Sequence, residues 1–206
     1  MSGALTRLPT FRAPKVTKLT LRPSPRGDSM DHRVPPTALG APSAPQSAER
    51  SAMRIVVGAD HRGFQMKNAI ADFLRTAGHD VTDVGTDSEE SVDYPDIAVA
   101  LAAEIQSGKA ERGILVCGSG VGACVAANKL SGIRAAITHD TYSAHQGVEH
   151  DDMNVICLGS HVIGIDIALE VTKAFVAASF DPQERYVRRL DKVRAIEAGE
   201  KQEISG

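Results

Sequence analysis

The segment 113–129 contains the residues whose types and spacing best fit chemistry. A short apolar run ends at Cys117, glycines follow at 118, 120 and 122, and small residues continue towards Lys129. This pattern predicts a buried strand, a glycine turn and a helix. The first N–H groups of a helix lack partners and lie at the positive end of its dipole, so such a turn suits an anion. The thiol of Cys117 would face that anion.

Cys117 is therefore a candidate base or nucleophile, because a helix N-terminus favours the thiolate form in which cysteines react. The other two cysteines, Cys124 and Cys157, lie in apolar contexts and are interpreted as small buried residues. Three cysteines without a CxxC pair suit free thiols in a reducing compartment, and they do not suggest a disulfide framework.

The glycines of this turn also fit a second class of protein. Residues 118–123 satisfy the relaxed G-x-G-x-x-A pattern of dinucleotide-binding folds, and Asp140 lies at a distance suited to a ribose hydroxyl. The pattern normally belongs to the first βαβ unit, however, and here it follows the third predicted strand. About 150 residues also leave no room for a substrate domain. A non-catalytic nucleotide-binding regulatory module stays as the alternative class.

Near the C-terminus, Arg185 and Arg189 lie one helical turn apart, with Arg188 beside them. Such a run is either a solvated helix face or a phosphate site, since two guanidiniums match a phosphate dianion well. The cluster His150, Asp151 and Asp152 lacks a second histidine at i+4 and a matching ligand set, so no metal site is predicted.

The elements that must position these residues alternate regularly from Met53 onward. Apolar runs at 54–58, 81–84, 113–117, 133–138 and 154–158 predict five strands, and helical segments follow them. We expect an α/β fold with one doubly wound, Rossmann-like domain: a five-stranded, mainly parallel sheet with helices on both faces and a further C-terminal helix at 182–198.

Ligands in open α/β sheets bind beyond the carboxyl ends of the strands. The predicted strands deliver several polar side chains to that edge: Asp60 and His61 after the first strand, Cys117, Gly118 and Ser119 after the third, His139 and Asp140 after the fourth, and Ser160 and His161 after the fifth. A carboxylate, an imidazole and a thiol are therefore expected to converge at the glycine turn.

Composition divides the chain at residue 52. Residues 1–52 hold eight of the ten prolines and a net charge of +5, which predicts a disordered extension, whereas the predicted domain at 53–200 and the tail at 201–206 are together acidic, at −8. An acidic body disfavours nucleic acid as a partner, and no apolar run reaches the roughly 18 residues of a membrane span. The extension is either an organelle transit segment or the product of a mis-assigned start. We expect a cytoplasmic protein in the second case.

Six motifs, in this order, resemble the ribose-5-phosphate isomerase B family, which includes galactose-6-phosphate and allose-6-phosphate isomerases. They are GADHRG at 58–63, DYPD at 93–96, CGSGVG at 117–122, AANK at 126–129, GIRA at 132–135 and NVICLGS at 154–160. The resemblance implies an aldose–ketose isomerisation through an enediolate, without metal or organic cofactor, in a homodimer with shared active sites. Ribose 5-phosphate is the expected substrate, with a related four- or six-carbon sugar phosphate as the alternative.

The resemblance also assigns roles to single residues. Cys117 matches the catalytic base, His150 the residue that opens the furanose ring, and Asp60 the carboxylate that orients the sugar. The remaining matches are Ser119 and the amides of Gly118, Gly120, Val121 and Gly122 around the enediolate, His61, Arg185 and Arg189 at the phosphate, and Tyr94 along the pocket.

Two positions depart from the family pattern. Asp151 stands where an asparagine often follows the histidine, and His161 stands where an arginine often follows Gly-Ser. Both are expected at the substrate edge, where a carboxylate repels a phosphate. They therefore bear on sugar preference more than on the type of reaction.

Overall fold

Five parallel strands form the centre of the protein in the computed structural model, which describes residues 52–200. The strands are β1 (Arg54–Ala59), β2 (Asp80–Asp83), β3 (Arg112–Cys117), β4 (Ala135–Ile137) and β5 (Val155–Gly159). The helices are α1 (Phe64–Thr76), α2 (Tyr94–Gln106), α3 (Val121–Ala127), α4 (Thr141–Asp151), α5 (Ile165–Ala177) and α6 (Glu184–Glu197). The extension predicted to be disordered, apart from residue 52, and the tail at 201–206 lie outside the described residues.

The sheet has the order β2-β1-β3-β5-β4, and every neighbouring pair is parallel. The predicted α/β fold is thus confirmed. Strand β4 is shorter than the predicted 133–138, and side-chain oxygens accept from backbone N–H groups at its start. Asn154 Oδ1 accepts from the N–H of Arg134, and Asn128 Oδ1 accepts from that of Ala135.

Helices cover both faces of the sheet, as the continuous apolar strands predict. Alternate strand residues enter two separate apolar clusters, since successive side chains point to opposite faces. One cluster joins Ile55, Val57, Ile114, Val116, Ile156 and Leu158 to α1, α4 and α5. The other joins Val56, Leu115, Val155 and Cys157 to α2 and α3.

The chain changes direction across the sheet between β1 and β3. Strand β2 lies on one side of β1 and β3 on the other, so the connections leaving β1 and β3 diverge and open a crevice at their carboxyl ends. Gly63 closes the base of this crevice. A Cβ there would lie 2.6 Å from the carbonyl oxygen of Val116, so only glycine allows α1 to begin this close to β3.

Helix α6 forms the C-terminal helix that the sequence predicts, and it contacts α4. Tyr186 and Leu190 are its buried residues, while the charged positions between them face outward. Among residues 52–200, no helix has the length and apolarity needed to cross a bilayer.

Two buried cations brace the sheet, one at its edge strand β2 and one at its central strand β3. Lys67 Nζ, whose side chain is only 1% exposed, lies 2.5 Å from Asp83 Oδ2 and thereby ties α1 to β2. Arg112, at the start of β3, donates to the carbonyl oxygens of Phe175 and Ala178 and lies 5.0 Å from the Phe175 ring centroid. The guanidinium of Arg112 therefore caps the end of α5.

Arg112→Met should lower the free energy of unfolding by about 2–4 kcal/mol, because buried carbonyls at the end of α5 lose charged donors. Urea denaturation followed by circular dichroism measures this loss. The matched control is Arg75→Met, which breaks an exposed pair with Asp72 and should cost less than about 0.5 kcal/mol. Equal losses in the two variants would contradict the capping role of Arg112.

Candidate active site

A cleft of about 430 Å³ occupies the crevice at the carboxyl ends of β1 and β3. Eight residues that the sequence predicts for the site line it: Asp60, His61, Tyr94, Cys117, Gly118, Ser119, Gly122 and His161. Parallel pairing of Ala59 with Val116 places the residues that follow β1 beside those that follow β3. The predicted convergence of carboxylate, imidazole and thiol is therefore present in the structure.

The thiol of Cys117 lies at the floor of the cleft and is 4% exposed. The backbone N–H of Gly120 donates to its sulfur at 3.1 Å, which fixes the side chain under the glycine loop. Gly120 has a φ of +82°, a left-handed conformation that glycine adopts without strain. A glycine at 120 is thus what directs an amide at the sulfur.

The glycine loop is fastened to the end of β5. Ser160 and His161 donate their backbone N–H groups to the carbonyl oxygens of Cys117 and Gly118 at 2.9 and 3.0 Å. A Cβ at Gly159 would lie 2.8 Å from the backbone of Ser119, so the two segments pack backbone to backbone. Ser119 Oγ accepts from the N–H of Val121 at 3.3 Å. The loop is therefore held in shape by its own contacts.

Asp60 is buried and oriented by the turn that it starts. Its Oδ1 accepts from the backbone N–H groups of Arg62 at 2.9 Å and Gly63 at 3.1 Å. His61 Nδ1 accepts from the N–H of Val92 at 3.4 Å, which links this turn to the loop before α2. One turn therefore carries both the carboxylate and the imidazole into the cleft.

Tyr94 enters the cleft from the first residue of α2. Its ring lies directly over Gly122, where a Cβ would be 2.7 Å from the ring carbon that bears the hydroxyl. Glycine at 122 therefore makes room for the tyrosine, a role distinct from that of Gly120.

Several cleft residues were missed from the sequence. Arg62, Ser91, Val92, Asp93 and Val162 also line it. The Arg62 side chain crosses the glycine loop, with Cδ 3.1 Å from the position of a Cβ at Gly118. The sequence signal available for Arg62 was its position directly after Asp60 and His61. For Ser91 and Val92 the sequence gives no signal, because only tertiary folding brings the loop after β2 to the cleft.

The remaining predicted residues do not line the cleft. His150 and Arg185 lie together at the junction of α4 and α6, and Arg189 is exposed one turn further along α6. Asp151 lines a separate cavity of about 690 Å³. Gly120 is buried beneath the loop, and Val121 is exposed beside it. Within one chain, the cleft that holds the Cys117 thiol is therefore separate from the residues expected to open the ring and bind phosphate.

The residues after β4 have structural partners. His139 Nε2 accepts from the N–H of Gly159 at 3.0 Å. Asp140 caps α4, with Oδ1 accepting from the N–H of Ser143 at 2.7 Å, and this hydrogen bond lowers the pKa of the Asp140 carboxyl below its ordinary value. The carboxylate that a dinucleotide-binding interpretation needs is therefore already used by a helix N-terminus.

Two thiols behind the loop form a coupled pair. A hydrogen bond with Cys157 lowers the pKa of Cys124 to about 7, and the backbone of Ile137 and the amide of Asn128 act in the same direction. The same contact with Cys124, together with burial, raises the pKa of Cys157. Within residues 52–200, no three His, Cys, Asp or Glu side chains are grouped as metal ligands.

Comparison with known proteins agrees with this geometry. Residues 55–193 match the family described as Ribose/Galactose Isomerase. Ribose-5-phosphate isomerase B of Escherichia coli is 40% identical over 70% of this chain and 96% of its own. D-erythrulose-4-phosphate isomerase of Pectobacterium atrosepticum is 45% identical over 63% and 86%, respectively. The solved ribose-5-phosphate isomerase B of Clostridium thermocellum is 43% identical, with a TM-score of 0.69 over 71% of this chain and 99% of that one.

The fold, the cleft and these matches define a class: the protein is a sugar-phosphate isomerase. More particularly, the chain belongs to the Ribose/Galactose Isomerase family, which confirms the resemblance found in the sequence motifs.

Cys124 should react with iodoacetamide at a rate that rises as the pH passes through about 7, because the thiolate is the reacting form and is lost below that pKa. Cys157 should stay unmodified over the same range, since it is buried and its pKa is raised. Mass spectrometry of each cysteine peptide measures both rates, and Cys124→Ser identifies the signal. A rate for Cys124 that rises only near pH 9 would contradict the lowered pKa.

Proposed function

We propose that the protein interconverts ribose 5-phosphate and ribulose 5-phosphate, with Cys117 as the base and without a metal or organic cofactor. The observation that carries this proposal is the Cys117 thiol, which is held by the Gly120 amide at the floor of a cleft that also contains Asp60 and His61. The E. coli relative that bears the name ribose-5-phosphate isomerase B supports the choice of sugar. The three free cysteines suit a cytoplasmic location.

The chemistry follows from the position of the thiol. In the opened aldose, the Cys117 thiolate takes the proton from C2, and the electron pair moves into the C1–C2 bond to give an enediolate. The same proton returns to C1 while a proton passes from O2 to O1, so the product is the ketose. No atom or electron is exchanged with a cofactor in this sequence.

The glycine loop, which lines the cleft beside Cys117, is proposed to stabilise the intermediate. Negative charge develops on O1 and O2, and preorganised N–H donors at such a charge are worth a few kcal/mol each. The rigid contacts between this loop and β5 supply the preorganisation. Ser119 Oγ adds a hydroxyl on the exposed side of the loop.

The ring-opening and phosphate residues are proposed to come from a second copy of the chain. His150, Arg185 and Arg189 lie outside the cleft that holds Cys117. A homodimer with shared active sites, which the sequence resemblance implies, would bring them to the partner's cleft. His61 and the two arginines then bind the phosphate, and His150 assists ring opening, in which the ring oxygen gains a proton as the C1–O bond breaks and the C1 hydroxyl releases its proton to solvent.

A four-carbon sugar phosphate is the second candidate substrate. The relative with 45% identity is named D-erythrulose-4-phosphate isomerase. Asp151 and His161, which depart from the family pattern, are expected to affect the preference between the two sugars. Of the two, His161 lines the cleft. A nucleotide-binding module is disfavoured because the Asp140 carboxylate caps α4.

Cys117→Ala should lower kcat for ribose 5-phosphate by about 10²-fold or more, because the group proposed to move the proton between C2 and C1 is lost. A coupled assay in the presence of a chelator measures this and tests metal independence at the same time. Cys124→Ala is the matched control, since that thiol lies outside the cleft. Near-normal turnover of Cys117→Ala would overturn the assignment of the base.

Arg185→Ala and Arg189→Ala should each raise KM for the phosphorylated sugar about tenfold, the effect of losing one charge-assisted hydrogen bond to phosphate. Steady-state kinetics over a range of sugar concentrations gives KM and kcat separately. Arg188→Ala, on the same helix and also exposed, serves as the control. An unchanged KM in both variants would indicate that the arginines form a solvated helix face and do not bind the phosphate.

Four-, five- and six-carbon aldose phosphates compared in one assay decide the sugar. The highest kcat/KM is expected for ribose 5-phosphate. A higher value for a tetrose 4-phosphate would instead favour the second candidate. Stabilisation of the protein by NAD and by none of the sugars would favour the nucleotide-binding class.

A further inference from the structure

The imidazole of His150 is held from three sides. The Gln146 amide lies 2.6 Å from Nδ1, and the Tyr186 hydroxyl lies 2.9 Å from Nε2. The Tyr186 ring also stacks on the imidazole, with centroids 4.1 Å apart and an interplanar angle of 16°. Both ring nitrogens therefore have protein partners, and the face of the ring is covered as well.

The Tyr186 hydroxyl has a second partner on its own helix. Arg185 donates an N–H to it at 2.6 Å, and the guanidinium lies 4.5 Å from the centre of the Tyr186 ring. A single hydroxyl thus joins the histidine proposed to open the ring and an arginine proposed to bind phosphate. Glu149 is the acidic group nearest the imidazole, with its carboxylate 4.0 Å from Nε2.

Burial makes this contact specific. Tyr186 is 4% exposed, and its ring fills the seam between α4 and α6. Packing alone needs only the ring, which phenylalanine would supply equally well. A buried hydroxyl costs free energy unless it is hydrogen-bonded, and here its two partners are both residues of the proposed site.

We propose that Tyr186 and Gln146 are positioning residues that fix His150 in the orientation needed for ring opening. The inference rests on the proposed function, in which His150 carries that step. Without such contacts, the His150 side chain would sample several rotamers. Only the correct rotamer gives the geometry that the reaction needs. Gln146, one turn before His150 on α4, fixes one edge of the ring, and Tyr186, from α6, fixes the other.

Tyr186→Phe should lower kcat for ribose 5-phosphate about tenfold, because one hydrogen bond to the imidazole is lost while the stacking stays. Gln146→Leu should cause a similar loss. Tyr142→Phe is the matched control, since it removes a hydroxyl from a 75% exposed tyrosine on α4. Unchanged thermal melting of Tyr186→Phe would establish that the variant is folded.

A double-mutant cycle separates positioning from general structural support. If Tyr186 acts through His150, Tyr186→Phe should cause no further loss of kcat in a His150→Ala background. The same tenfold loss in both backgrounds would overturn the proposal. Wild-type protein without activity on ribose 5-phosphate would contradict the proposed function itself, which is a different outcome from equal losses in an active enzyme.

A second measurement uses an aldotetrose 4-phosphate. Its O4 carries the phosphate and cannot close a five-membered ring, so its isomerisation needs no ring opening. Tyr186→Phe should therefore change its turnover by less than about twofold, within the effect of a substitution that leaves the reacting groups untouched. A tenfold loss with this substrate too would assign Tyr186 to structural support.

Discussion

The parallel pairing of β1 with β3 is the constraint on which the site depends. Ala59 lies opposite Val116 in this pairing, so the residues after each strand begin at the same edge of the sheet. The sheet order places β2 and β5 on the outer sides of this pair, and the connecting segments must diverge there. Asp60 and Cys117 face one crevice as a result of strand register, before any side-chain contact is considered.

Glycines then shape that crevice into the observed cleft, and each does so differently. Gly63 lets the first turn of α1 approach β3, Gly120 turns an amide onto the Cys117 sulfur, and Gly122 leaves space for the Tyr94 ring. Gly159 allows the loop to lie on the end of β5. The loop is consequently held against the end of β5 by backbone contacts, the kind of preorganisation that the proposed stabilisation of an enediolate requires.

The buried charged groups of this fold each have hydrogen-bonding partners. Lys67 and Arg112 are enclosed at opposite ends of the sheet, each with hydrogen-bonded partners that compensate for lost water. Beside the glycine loop, the buried Cys117 thiol has an amide as its donor, and the buried Asp60 carboxylate accepts from two backbone N–H groups. The seam between α4 and α6 follows the same rule, since the enclosed Tyr186 hydroxyl is satisfied by His150 and Arg185.

By itself, the sequence determined the α/β class, the five strands and the residues delivered by β1 and β3. These follow from local periodicity and from the parallel-sheet rule, both of which can be read along the chain. It also gave the ordered motifs that indicate the isomerase family. Only the tertiary structure decided that Ser91 and Val92 enter the cleft, that Asp140 is a helix cap, and that Tyr186 holds His150. These contacts join segments whose approach is set by packing between elements, and no spacing along the chain encodes that approach.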